Sequence, residues 1–298
     1  MIKKAIKYLI DPDYRFMFNR AHGKYKEMPD EEYLKRLYHA ETGRTLNLNE
    51  PKSFNEKLQW LKIHDRKDIY STMADKYLVK EYVAQKIGAE HIIPLLGVWD
   101  TANEIDFDKL PEQFVLKCTH DSHGLVICKD KSKLDLSATK DKLNKCLKRN
   151  YYYAFREWPY KNISPRVIAE KYMEDESGEL KDYKVLCFDG VPRLIELHQG
   201  RFSGEHYQDF YDTQWEKTKI VQYGEQPHGS IAPKPEGLNE MLRLSGILSQ
   251  NIPHVRVDWY IISGKPYFGE FTFYDASGMD LFLDERDDLM IGSWITVI

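Results

Sequence analysis

The sequence predicts an α+β fold with a mainly helical N-terminal region, and two observations carry that expectation. Apolar residues recur at helical spacing as far as Gly88 and give way to short strand-like runs beyond it. Tight turns of the Asp189-Gly190 and Ser263-Gly264 type recur among the later runs, which favours antiparallel hairpins over a doubly wound parallel sheet. The 298 residues suffice for one large core or for two to three lobes. We divide them into a helical region, 1–88, a first lobe, 89–172, and a second lobe, 173–298.

The elements follow in order. The first ten residues form a basic amphipathic stretch, with Lys3, Lys4 and Lys7 around Ile2, Ile6 and Leu9; it reads as a docked helix, with a membrane-surface contact as the alternative. Ser53, with Glu56 three residues on, has the signature of a capping box ahead of Leu58, Trp60, Leu61 and Ile63. A second helix is expected over 71–87, where Leu78 with Tyr82, and Val79 with Val83 and Ile87, recur at four-residue spacing. Strands are expected at 92–99, 114–118 and 125–128, then a helix over 137–149. Further strands are expected at 167–173, 183–188, 193–197 and 255–262, with a helix over 238–250 before the last.

Composition closes off several function classes. No apolar run approaches the roughly 20 residues that span a bilayer, and MIKKAIKYLI is too short and too charged for a signal peptide. The expected location is therefore the cytoplasm, with contact at the inner membrane face at most peripheral. Cys118, Cys128, Cys146 and Cys187 have no C-x-x-C spacing, which argues for apolar core residues or free thiols rather than disulfides or zinc. A formal net charge of −4 offers no electrostatic case for nucleic-acid binding.

The chemistry-bearing stretch is R256-V-D-W-Y-I-I-S-G-K-P-Y-F-G-E-F-T272. If its two halves form a hairpin, Asp258 and Glu270 lie side by side on neighbouring strands. Two carboxylates that close repel unless a cation sits between them or one is protonated, and Mg²⁺ with oxygen ligands resolves the conflict. Thr272, two residues beyond Glu270, points to the same side as a third oxygen. On spacing alone, two solvated acids on an exposed face is an equal reading. Lys117 stands at a strand end before His120-Asp121-Ser122-His123-Gly124, a small polar loop of the kind that closes over phosphates with backbone N–H groups. Neither a Walker A loop nor G-x-G-x-x-G is present, and His120-x-x-His123 lacks a third metal ligand nearby. The run 167–173, its acidic connector and the strand after it read as a plain hinge between lobes, or as a hinge against which a nucleotide base lies.

These pieces, FVLKCTHDSHG, VIAEKYM, LKDYKVLCFDG and RVDWYIISGKPYFGEFTF, occur in the order seen in ATP-grasp enzymes, whose two α+β lobes clamp the nucleotide. FNEKLQWLKIHDRK, MADKYLVKEYV, IIPLLGVWD and FYDTQWE resemble the TupA-like branch of that superfamily, found in bacterial capsule and teichuronopeptide loci, so the resemblance runs from about Pro51 to the C-terminus. It implies ATP and Mg²⁺ as cofactors. By position, Lys76 and Lys117 resemble the two nucleotide-binding lysines, and Ser122 and Gly124 fall in the phosphate-covering loop, where His123 replaces a small residue. Glu170, with the backbone of Tyr172 and Met173, matches the adenine hinge; Asp182 resembles the ribose acid and Lys184 a further phosphate contact. Asp258, Glu270 and Thr272 match the metal ligands, the third being more often asparagine, and Arg256 matches an arginine that stabilises the transferring phosphoryl group.

The activity so implied is carboxylate–amine ligation through an acyl phosphate. Its partners would be a carboxylate-bearing sugar or polysaccharide precursor and an amine. Phosphorylation of a glycan hydroxyl, glycosyl transfer and non-catalytic nucleotide binding are the competing readings. Arg201, near His198, reads equally as a carboxylate anchor acting with Arg256 and Lys117, or as a structural ion pair. The 150–158 run holds five aromatics in nine residues, which suits the core packing of a helix end or, second, a sugar-stacking surface.

Overall fold

The computed structural model describes residues 2–122, 124–175, 180–200 and 206–297. Helices Ile2–Ile10, Pro12–Ala21 and Asp30–Thr42 open the chain, and Phe16, Tyr33, Leu34 and Leu37 pack between the latter two. Helix Phe54–His64 begins at the expected capping box: Ser53 accepts from the Glu56 N–H, and the Glu56 carboxylate accepts from the Ser53 N–H.

The single helix expected over 71–87 is two helices, Ile69–Ala74 and Leu78–Ile87. Asp75 is the physical cause. Its carboxylate accepts from the N–H groups of Tyr77, at 2.8 Å, and Leu78, at 3.2 Å, and pairs with Arg166 at 3.0 Å. Aspartate bonded to nearby backbone in this way competes with the helix ladder. The Lys76 N–H, freed from the helix, donates to Thr119 O at 3.1 Å.

Strands β1 (Leu95–Trp99), β2 (Phe114–Cys118), β3 (Leu125–Cys128) and β4 (Val167–Lys171) form an antiparallel sheet in the order β1-β4-β2-β3. The strand expected from 92 starts only at Leu95. Pro94 has no N–H to give a ladder, its carbonyl accepts from Lys171, and Ile92 makes an isolated bridge to Phe268. Phe114, Leu116 and Cys118 alternate into a core with Leu143 and Cys146 of helix Leu136–Leu147, so Val115 and Lys117 face the other way.

A second antiparallel sheet has β5 (Asp182–Phe188), β6 (Val191–Gln199), β7 (Tyr207–Tyr211), β8 (His254–Ile262) and β9 (Lys265–Thr272) in the order β7-β6-β5-β8-β9. Asp189-Gly190 and Ser263-Gly264 join their strands with positive φ at both residues, which matches the twist of a two-residue hairpin. Met241, Leu244 and Leu248 of helix Leu238–Leu248 cover this sheet, and Phe54, Leu58 and Leu61 join the same core. Strand β7 has no counterpart among the expected elements. The four cysteines are free and buried.

Helix Ile2–Ile10 docks on helix Pro12–Ala21 through Tyr8, whose hydroxyl donates to Asn19 Oδ1 at 3.0 Å and whose ring meets Phe18 edge-on, but its apolar face is left open. Ile6, Leu9 and Ile10 share one face at i, i+3 and i+4 and are 50%, 72% and 74% exposed. The 150–158 run is only partly core: Tyr152 is buried, whereas Tyr151, Tyr153 and Phe155 are half-buried.

Candidate functional site

Strand alternation aims polar side chains from both sheets at the space between them. On β8 and β9, Asp258 pairs directly with Glu270 and Arg256 with Thr272. Gly269 is the extra residue of a β-bulge, between Glu270 opposite Asp258 and Phe268 opposite Trp259. The bulge shifts the alternation, so Phe268 and Phe271 both enter the core while Glu270 faces the cleft. A Cβ at Gly269 would meet Asp258 O at 3.1 Å.

The register extends this pair into a row. Glu196 on β6 pairs with Lys184 on β5, Lys184 with Asp258 on β8, and Asp258 with Glu270 on β9. Arg256 clasps Asp258 with two bonds of 2.8 Å, donates to Thr272 Oγ1 at 3.2 Å and contacts Asp275; Glu196 lies 3.9 Å away. Lys184 Nζ lies 3.7 Å from Asp258, and Lys76 Nζ 3.0 Å from Glu270. Burial raises the Asp258 carboxyl above its ordinary value, against the pull of Arg256 and Lys184. For Glu270 burial also opposes ionisation, but Lys76, Arg256 and Lys184 outweigh it and bring the carboxyl down to about 2. Among the described residues, no group of three or more His, Cys, Asp or Glu side chains is arranged to hold a metal ion.

Lys117 on β2 and Glu170 on β4 face the same cleft from the first sheet. Lys117 Nζ lies 2.6 Å from Glu170 Oε2, and Lys80, from helix Leu78–Ile87, contacts the other oxygen. Burial opposes the charge on Lys117 and on Glu170, yet their mutual attraction prevails: Lys117 is raised and Glu170 lowered.

Two joined cavities lie against these groups. One, of about 530 Å³, is walled by Ile93, Val115 and Ile127, with Tyr172, Met173 and Lys117 among its other residues. The second, of about 270 Å³, is polar and is reached by Lys76, Ser122, Lys184, Arg256, Asp258 and Glu270. Lys117, Leu125, Asp182 and Tyr260 line both. Gly124 lets the loop close: a Cβ there would lie 2.5 Å from Cys118 Sγ, and its carbonyl accepts from the Cys118 N–H at 2.7 Å. The structure thus brings Lys76, Lys117, Ser122, Gly124, Glu170, Tyr172, Met173, Asp182, Lys184, Arg256, Asp258 and Glu270 to one cleft; Thr272 stands at its edge behind Arg256. Arg201 and His123 lie outside the described residues. His120 is buried, with its ring 3.3 Å from Cys146 O.

Sequence reasoning missed Lys80, Glu196, Tyr260 and Asp275. Tyr260 shares the β8 face with Asp258 at i+2, and Lys80 follows Lys76 at i+4; those spacings were the available signals.

Residues 56–296 match the model of the TupA-like ATP-grasp family. The chain belongs to that family, and its fold is ATP-grasp. No curated protein sequence matches it. Similar solved structures include a D-alanine–D-alanine ligase from Bacillus anthracis complexed with ATP, at 19% identity over 67% of this chain and 55% of that one, TM-score 0.37. The D-alanine–D-alanine ligase from Helicobacter pylori aligns at 14% identity over 82% and 67%, TM-score 0.45. A RimK domain ATP-grasp protein from Sphaerobacter thermophilus aligns at 10% over 76% and 69%, TM-score 0.41. The chain spans about half the length of the Bacillus anthracis ligase. No helix among the described residues is long and apolar enough to cross a membrane.

Proposed function

We propose that the protein is an ATP- and Mg²⁺-dependent carboxylate–amine ligase that forms an amide on a uronic acid or related carboxylate of a bacterial surface polysaccharide or its precursor. The observation that carries this reading is the row Glu196–Lys184–Asp258–Glu270, which lies across four strands and ends at a polar cavity joined to an apolar-walled one. An apolar slot beside a cation-rich chamber suits a base and its phosphates. Residues 89–172 and 173–298 act as the two clamping lobes.

In this reading adenine lies in the larger cavity against Tyr172, Met173 and the Glu170 hinge, with Asp182 at the ribose. Lys76, Lys117, Lys184 and the Ser122–Gly124 loop surround the phosphates. The donor set fits Mg²⁺, which commonly takes one or two carboxylates plus substrate phosphates; Asp258 and Glu270 are adjacent and reach the polar cavity, and Thr272 stands beside them. Asp258 and Glu270 would hold the ion, which would supply positive charge to offset that of the phosphates. Lys76 and Arg256, which hold those carboxylates here, would then turn toward phosphate oxygens.

A substrate carboxylate oxygen attacks the γ-phosphorus, the bond to the ADP oxygen breaks, and an acyl phosphate forms. The amine nitrogen then attacks the acyl carbon, inorganic phosphate leaves with the C–O electron pair, and the nitrogen loses one proton. Lys117 and Arg256 offset charge on the transferring group, and closure of the lobes keeps water from the acyl phosphate. Arg201 is proposed as the carboxylate anchor. We assign the protein to the cytoplasm, at most peripheral to the membrane through helix Ile2–Ile10, whose apolar face is exposed.

The test is mass spectrometry of products after incubation with ATP, Mg²⁺, a panel of uronic-acid sugars and an amine pool. An amide with one ADP and one phosphate released supports the ligase; a phosphorylated sugar without free phosphate makes it a kinase. Asp258→Asn and Glu270→Gln should each abolish Mg²⁺-dependent turnover with circular dichroism unchanged. Wild-type ADP production by either variant overturns the metal assignment.

A further inference from the structure

A cavity of about 680 Å³ lies beside the nucleotide cleft, between residues 20–26 and the segment 148–155. Its walls carry Arg20, Lys26, Lys148 and Arg149 in a chain of formal net charge −4; Asp121 lies 3.9 Å from Arg149 and Glu41 3.8 Å from Arg20, so Lys26 and Lys148 make up the excess. That local excess of cations favours an anionic ligand. Tyr25, Tyr151, Tyr153 and Phe155 set half-buried rings among the cations. Rings of this kind present an apolar face to a sugar while hydroxyl and guanidinium groups bind its polar edge. The volume is within the range of small-ligand sites, ~300–1,000 Å³.

The walls are built rather than incidental. Arg156, fully buried and held at φ 57, donates to the carbonyls of Tyr25, Lys26 and Met28 and pairs with Asp30 at 3.1 Å. Arg20 donates to Ala154 O at 2.7 and 3.1 Å, and the Tyr33 hydroxyl donates to Tyr153 O and Ala154 O. A non-glycine residue at positive φ is strained and persists only where its surroundings hold it. The cavity walls are therefore preorganised. Lys148 and Arg149 also follow helix Leu136–Leu147, where cations offset the helix dipole, whereas Lys26 belongs to no such helix end and lies over the Tyr153 ring at 5.4 Å, within the cavity wall.

The cavity borders the cleft. Asp121 lines both, and Tyr151 is hydrogen-bonded to Ser122 of the phosphate-side loop. The wall formed by Arg20, Tyr25 and Lys26 precedes the residues that match the family.

We propose that this cavity is the acceptor subsite and holds a carboxylate-bearing glycan, with Lys26 and Arg149 on its carboxylates, the aromatic rings under its sugars, and Tyr151 at the border with the phosphate chamber. The assignment to the acceptor rests on the ligase reading above; the binding of an acidic glycan stands apart from it.

Calorimetric titration of the full chain with trigalacturonic acid tests the binding. Wild type should bind it in preference to neutral maltotriose. Lys26→Ala/Arg149→Ala, which removes two exposed side chains, should weaken that binding by about tenfold or more. ATP affinity, read in parallel, should change by less than about twofold, because the two side chains lie outside the nucleotide cleft. Unchanged trigalacturonate affinity in the double variant overturns the proposal, as does equal binding of maltotriose. Tighter, variant-sensitive binding of a thymidine hexanucleotide overturns it in favour of single-stranded nucleic acid. Variant-sensitive trigalacturonate binding without any ATP turnover supports the glycan site and removes the ligase reading. Amide formation that ignores both substitutions leaves the ligase reading and removes this subsite.

Discussion

Glu170 is gripped on both carboxylate oxygens, by Lys117 at 2.6 Å and by Lys80. The carboxylate is buried and the two ammonium groups nearly so, at 7%, 19% and 14% side-chain exposure. One anion therefore holds two cations from different elements, strand β2 and helix Leu78–Ile87, at the wall of the larger cavity.

Glu170→Gln keeps the shape and removes the charge, leaving two ammonium groups facing one another without the carboxylate that bridges them, and with only Glu270 and Asp182 still favouring the charge on Lys117. Breaking a buried pair in this way costs about 3 kcal/mol or more. Urea denaturation at neutral pH should show a loss of that order with an unchanged m-value. A loss under about 1 kcal/mol would mean that water compensates the lysines and that the triad is no structural hub.

The β8–β9 hairpin was readable because its parts are local. Ser263-Gly264 dictates a two-residue turn, and strand alternation then brings Asp258 and Glu270 to neighbouring strands. The bulge at Gly269 was less visible, although P-Y-F-G-E-F does break strict alternation there. Glu196 and Asp275 were not legible. Glu196 meets Lys184 only through the β5–β6 register, and Asp275 reaches Arg256 from beyond the end of β9. The break at Asp75 was hidden for another reason. Apolar spacing continues across it, while the side-chain bonds that interrupt the helix depend partly on Arg166, far along the chain. The exposed face of helix Ile2–Ile10 was legible as amphipathic, but not which of its surroundings it leaves open.

His254 ties stability to pH. It is buried against Phe54 and Phe188, its Nδ1 lies 3.0 Å from Cys187 O, and burial, helped by Arg256, depresses its pKa to about 3. The native imidazole stays neutral while the unfolded chain takes up a proton below about pH 6.5, so the unfolded state binds more protons and stability falls as pH falls toward 3. At pH 5 this one group costs about 2 kcal/mol relative to pH 7. His254→Asn retains a donor for the carbonyl and removes the titration. Denaturation of both proteins at pH 7 and pH 5 should show the wild type losing that much more. Parallel losses would mean that His254 is protonated in the native state.

The N-terminal helix gives the last expected outcome. Ile6, Leu9 and Ile10 form an apolar face open to solvent, with Lys4 and Lys7 exposed on the same short helix. Apolar side chains sink into the headgroup boundary and lysines are drawn to anionic lipid, each lysine adding about 1 kcal/mol near the surface. The full chain should co-sediment with phosphatidylglycerol vesicles and much less with phosphatidylcholine vesicles, and added salt should weaken the binding as it screens the lysines. Leu9→Asp/Ile10→Asp removes two apolar anchors and adds two repelling charges, so vesicle affinity should drop by about tenfold or more with thermal stability unchanged. Equal binding to both vesicle types, or no loss in the double variant, would detach this helix from the membrane. A concentration-dependent dimer that the same substitutions dissolve would show instead that a second copy covers the face.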